Sequence, residues 1–175
     1  PASAVLTEFN RLAREDSSAL VRLALASTLQ RLPVNQRSEL ARGLVARAED
    51  TTDHNLPLLI WYGLIPVADA RLEELPKVAN VCELPPTRRL IARRVVEDVE
   101  TKPDSVNALL LLAAVKSEAF QADILAGLAE GLTGWPESEA SGRAFTEVFV
   151  ALNEGTRARV PDPVTQILRD GVTIG

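Results

Sequence analysis

Ser17-Ser18-Ala19-Leu20-Val21-Arg22-Leu23-Ala24-Leu25-Ala26-Ser27-Thr28-Leu29-Gln30-Arg31-Leu32 is the stretch that decides the fold. Asp16, Ser17 and Ser18 offer side-chain oxygens that can cap a helix start. Leu20, Val21, Ala24, Leu25, Thr28, Leu29 and Leu32 then recur three and four places apart, the spacing of one helical face. Pro33 and Asn35 punctuate its end. The same grammar of cap, apolar stripe and breaker runs outward in both directions.

Upstream, Leu6, Phe9, Leu12 and Ala13 mark a helix over roughly residues 3–15. Downstream, Leu40, Leu44, Val45 and Ala48 give a third, with Arg47 near its carboxyl end, where a cation is favoured. Asp53 can cap a fourth from about Leu56, with Pro57 tolerated in the first turn and Gly63 and Pro66 as its end. Ala68–Leu75 reads as a short helix broken near Pro76. Pro85-Pro86 opens a long one holding Leu90, Ile91, Val95 and Val99, and Lys102-Pro103-Asp104 separates it from Val106–Val115. Ser117 caps a helix with Phe120, Ile124, Leu125, Leu128 and Leu132. Gly134-Trp135-Pro136 is a turn in which Trp135 seals a helix pair. Ser138 or Ser141 starts a helix through Phe145, Val148, Phe149 and Leu152, ended by Gly155. Pro161–Arg169 is a last short helix. No segment alternates with period two, so no sheet is expected.

Helix pairs recurring every ~35–45 residues fall in the range of HEAT and armadillo-like units. Ser17–Leu32 has the form of a HEAT unit's first helix, and Leu40-Ala41-Arg42-Gly43-Leu44 is echoed by Leu128-Ala129-Glu130-Gly131-Leu132. The reading is all-α: an irregular HEAT/armadillo-like α-solenoid of antiparallel helix pairs, one helical-repeat domain over residues 1–175. A compact, non-repeating helical bundle is the competing arrangement.

Aromatic residues are only 4 % of the chain and Met is absent, so cores must be built from Leu, Val, Ile and Ala. A chain that begins Pro1-Ala2-Ser3 without Met reads as an excised fragment or processed product of a larger protein. Net charge is −5, and basic residues are interleaved with acids, which argues against a nucleic-acid footprint. The densest basic cluster, Arg88, Arg89, Arg93 and Arg94, is followed by Glu97, Asp98 and Glu100, as on a solvated, salt-bridged face. The single Cys82 excludes an internal disulfide or a multi-Cys metal site, and it sits where a small buried residue would fit. No apolar run reaches the ~20 residues that span a bilayer.

Asp53-His54-Asn55-Leu56-Pro57-Leu58-Leu59-Ile60-Trp61-Tyr62-Gly63 holds the only His, the only Tyr and one of two Trp. His54 with Asp53 is half of an acid–base pair or metal site, or else a cap and a turn residue; no second His completes the former. Trp61 and Tyr62 either form a platform for a sugar or peptide, with Asp53 or Asn55 supplying hydrogen bonds, or anchor the core and its rim. No phosphate loop, nucleophile elbow or carboxylate pair is present, so the chain is read as non-catalytic, with no cofactor or metal of its own.

Ala13-Arg14-Glu15-Asp16, Val21 to Ser27, Leu29 to Pro33, the Asp53–Leu58 and Trp61–Gly63 strings and Ile91-Ala92-Arg93-Arg94 together resemble one family over roughly residues 10–100. It is the HEAT-repeat region of large PVC-type heme-binding, membrane-bound-dehydrogenase-like proteins. There a sugar-dehydrogenase-like propeller precedes the helical repeats and a c-type cytochrome domain with CxxCH follows. The resemblance implies an extracytoplasmic parent and a fragment that links or docks those domains. Heme c would lie only in the downstream domain, since this chain has no CxxCH. Partners would be neighbouring domains of the same polypeptide or another protein. The alternative is a carbohydrate- or peptide-binding domain built on Asp53, His54, Asn55, Trp61 and Tyr62.

Overall fold

The computed structural model describes residues 3–143, 145–148, 155–156 and 158–159. These are all-α: no strand runs among them, and no described helix is long and apolar enough to cross a membrane. The chain forms two compact units, Pro1–Leu132 and Thr133–Gly175.

In the first unit the helices are α1 (Ser3–Glu15), α2 (Ala19–Leu29), α3 (Val34–Val45), α4 (Leu56–Ala70), α5 (Glu74–Ala79), α6 (Pro85–Glu97), α7 (Pro103–Ala113) and α8 (Glu118–Thr133), with a single 3-10 turn at Ala48–Asp50. From α1 to α7, each helix packs mainly on those one and two places along the chain. The odd helices α1, α3, α5 and α7 therefore form one layer. α2, α4 and α6 form the other, and α8 joins it by lying on α6 through Gly127 and Gly131. Leu25, Leu29, Leu40, Leu44, Leu56, Ile60, Leu64, Leu75, Leu84, Ile91 and Leu109 fill the space between as one continuous core.

Several local readings needed distant partners to be right. The stripe of α2 is rotated from the one the apolar spacing suggests. Arg22, Leu25, Ala26 and Leu29 are buried, while Leu20 is 77 % exposed and Ala24 faces solvent. Arg22 is drawn inward by Asp50, and that fixes the phase. Ala48 is likewise exposed, in the 3-10 turn. Arg47 serves the end of α1, donating to the carbonyls of Arg14 and Asp16, and not the end of its own helix.

α4 does not stop at Gly63 or Pro66; it runs through both to Ala70. Gly63 is there for close approach, because a Cβ at that position would lie 2.7 Å from the Cβ of Leu29 on α2. Pro66 removes a helical N–H and loosens the carbonyls one turn back. Next to that gap the buried Arg37 guanidinium adds a donor to the helix, reaching Gly63 O at 3.1 Å while also binding the carbonyls of Leu32 and Gln30. Pro76 also lies inside a helix, in the first turn of α5, where its missing N–H has no helical partner to lose. Ser117 is a cap as read, its Oγ accepting the Phe120 amide at 3.3 Å.

In the second unit, the helix read from Ser138 or Ser141 onward is interrupted. α9 (Glu137–Ala140) ends at an extended Ser141, and Gly142 takes a φ of 83° before α10 (Phe145–Val148). Residues 149–154, the Pro161–Arg169 helix and the last residues lie outside the described residues. Gly155 sits in a turn. Trp135 follows Gly134, which has a φ of 74°, and the Arg143 guanidinium lies 4.6 Å from its ring centroid, so Trp135 closes the loop around α9.

Candidate functional site

The Asp53–Tyr62 segment is split by the helix it starts. The Asp53 carboxylate accepts the amides of Asn55 and Leu56, both at 2.8 Å, which satisfies donors that the first turn of α4 leaves open. Those amides hold the Asp53 carboxyl below its ordinary range, Leu56 most and Asn55 next. Asp53 is thus a cap, two residues further from the helix than the ordinary N-cap position, which Asn55 holds. His54 and Asn55 are exposed beside it. Trp61 lies six residues beyond Asn55, or about 9 Å along the axis at 1.5 Å per residue. Asp53 and Asn55 are therefore not beside the rings, and a platform that needs their hydrogen bonds next to Trp61 is not assembled.

The two rings take different roles. Tyr62 is 52 % exposed. Trp61 is half-buried, packed on the core on one side, and on the other it lines an open groove of about 410 Å³ with Ile65, Leu90, Arg93, Arg94 and Glu97. With Leu58 also exposed, the outer face of α4 carries Leu58, Trp61, Tyr62 and Ile65, an apolar strip at helical spacing. The cations at its edge are engaged. Arg93 binds Glu130 at 2.7 Å, and Arg94 binds Asp69 and Asp98, each at 3.1 Å.

The rest of the basic cluster departs from the solvated face read from sequence. Arg89 and Arg93 are half exposed, but Arg88 is buried. Its Nε and Nη2 donate to Asp123 Oδ2 at 2.8 and 2.6 Å, its Nη1 donates to Cys82 O at 2.8 Å, and its guanidinium lies 5.3 Å from the Phe120 ring centroid. Arg22 is built alike. Its Nε and Nη2 each reach Asp50 at 2.5 Å, and its Nη1 donates to Asp16 O at 3.0 Å. Both arginines are the fourth residue of an even-layer helix, and both bind the carbonyl six residues upstream. The aspartates they need are 28 and 35 residues away, so no local pattern could reveal them.

Cys82 is buried, and the loss of solvation pushes its thiol up to about 12. A thiol so held is not a nucleophile at neutral pH. Among the described residues no group of three or more His, Cys, Asp or Glu is placed to hold a metal ion. No protein-family model, curated protein or solved structure matches the chain.

Proposed function

We propose that the chain is a non-catalytic helical-repeat scaffold, an irregular HEAT/armadillo-like α-solenoid of antiparallel helix pairs that docks or spaces neighbouring domains. The observation that carries this reading is the recurrence of one device two helix pairs apart. Arg22 in α2 and Arg88 in α6 share helix position, the same upstream carbonyl and an aspartate from a later element. The glycines support it. Gly43, Gly63, Gly127 and Gly131 each press on the helix two places earlier, so the Leu40–Leu44 and Leu128–Leu132 echo is one of role. Packing confined to near neighbours makes stability a sum over units. Removing residues 103–175 should therefore leave a helical, cooperatively melting remainder. A remainder without cooperative unfolding would favour the compact bundle.

The parent reading rests on the resemblance over roughly residues 10–100. By it, this chain is the part between a dehydrogenase-like propeller and a c-type cytochrome domain in an extracytoplasmic protein, with heme c held only downstream. The coding sequence that follows tests it: a CxxCH supports the parent, and an unrelated continuation rejects it. Stoichiometric uptake of heme or zinc by the purified chain would reject the non-catalytic, cofactor-free reading. Binding of a peptide or carbohydrate by the Asp53–Tyr62 segment keeps one supporting observation, the open groove beside Trp61.

A further inference from the structure

The geometry points to a second groove, on the odd layer, as a binding site for a short acidic segment of a partner protein. This groove, of about 480 Å³, is lined by Arg14, Arg42, Ala46, Lys77, Asn80 and Val81, a size within the ~300–1,000 Å³ of ligand clefts. Its residues come from the carboxyl ends of α1, α3 and α5, which the layer brings side by side. Cations at helix carboxyl ends are ordinary, since each end carries about half a negative charge. Here they exceed that need. Arg14 and Arg42 share one carboxylate, Glu39, and each gives it a single nitrogen. A guanidinium has five N–H donors, so most remain open to a ligand. Lys77 and Arg71 are balanced by Glu74 and Glu73, so the excess lies with Arg14 and Arg42, while the Lys77 ammonium stays reachable at the groove. Lys116 extends the row, its Nζ donating to Asn80 O at 2.8 Å, with no carboxylate partner among the described residues.

Side-chain exposures of 53 % for Arg14, 36 % for Arg42 and 55 % for Lys77 leave all three reachable. Their separation onto three helices, with Glu39 between two of them, suits carboxylates spaced along a chain better than one compact anion. Ala46 and Val81 add apolar surface for the aliphatic parts of such a segment. A long polyanion would meet the −5 net charge of the whole chain, whereas a short segment meets only the local excess. This inference stands on the groove alone and does not need the repeat reading.

The test uses the full chain and a fluorescein-labelled octapeptide alternating Glu and Ala, followed by fluorescence anisotropy. Saturable binding is expected, weakening with added salt as exposed charge pairs do, and absent for the Lys–Ala peptide. The pair Arg42→Glu with Lys77→Glu should weaken it by at least about tenfold. Arg42→Gln with Lys77→Gln should give a smaller loss, and Arg31→Glu, on an exposed residue elsewhere, none. Circular dichroism checks that each variant keeps its helices. No binding, binding indifferent to the Arg42 and Lys77 changes, or equal competition by inorganic phosphate or oligothymidylate would overturn the proposal.

Discussion

The start of α2 and the start of α6 solve one problem with different parts, and the start of α4 between them solves it another way. At α2, Arg22 forks onto both oxygens of Asp50, and Glu49 stands further off at 3.9 Å. At α6, Arg88 crowds onto a single oxygen of Asp123, leaving the other for the half-exposed Arg89 at 3.0 Å, and it leans on the Phe120 ring. In α4 the fourth residue is Leu59, and the helix is held by Leu56, Ile60, Leu64 and the Gly63–Leu29 contact. At α2 and α6 the tied position is the same, whereas α4 is held by apolar contacts at other positions. The chemistry of the tie is free to vary, since a buried ion pair and an apolar contact can stabilise to similar extents.

That comparison breaks most readily at its aspartates. Asp50→Ala strands Arg22 in the core and should cost about 3–5 kcal/mol in urea unfolding. Asp123→Ala should cost less, about 2–3 kcal/mol, because Arg88 also keeps its contact with the Phe120 ring. Equal losses, or the reverse order, would mean the two ties are not alternatives of one device. The double change Arg22→Met with Asp50→Leu should recover most of the Asp50→Ala loss, because it leaves no unpaired charge.

The middle tie is sharpened by neighbouring residues of α4. Ile60→Ala should cost about 2–5 kcal/mol. Trp61→Ala should cost about 1–3 kcal/mol, less than a full core truncation, because Trp61 is only partly buried and one side already faces the groove. A larger loss at Trp61 than at Ile60 would make the ring the anchor of this pair.

The cap at Asp53 predicts a smaller, pH-dependent effect. Its folded carboxyl titrates below the ordinary value of ~3.9. Its contribution is therefore fully present above that value and is lost as pH falls through the lower folded one. Asp53→Ala should cost about 1 kcal/mol at neutral pH. The gap to the parent chain should close only below about pH 4. A gap unchanged at low pH would assign the loss to something other than the carboxylate. Smallest of all, Arg93→Gln should change stability by less than about 0.5 kcal/mol, although Arg93 sits in the same basic cluster as Arg88.

Arg88 and Arg93 also show what the sequence could and could not disclose. Helix positions followed from near-neighbour spacing, and the Ser117 and Asp53 caps from oxygens placed just ahead of apolar runs, all within a few residues. Arg88 was misplaced because its burial depends on Asp123, two helices on. The end of α4 was misplaced because Gly63 and Pro66 break a helix unless Leu29 and Arg37 stand opposite, and nothing local announces them. For the same reason the sequence leaves the aromatic segment open between one ligand platform and a core anchor with its rim. Its residues are adjacent along the chain, but the helix carries Trp61 away from Asp53 and sets it against Leu90 and Arg94 of another element.

The position of Cys82 gives the molecule a built-in clock. The chain has one sulfhydryl, buried in the α5–α6 turn and 3.5 Å from Leu84 O, with its own carbonyl gripped by Arg88. A thiol-specific dye can reach it only when that turn parts from its surroundings. The labelling rate under native conditions then reads how often this joint opens, with no substitution in the chain.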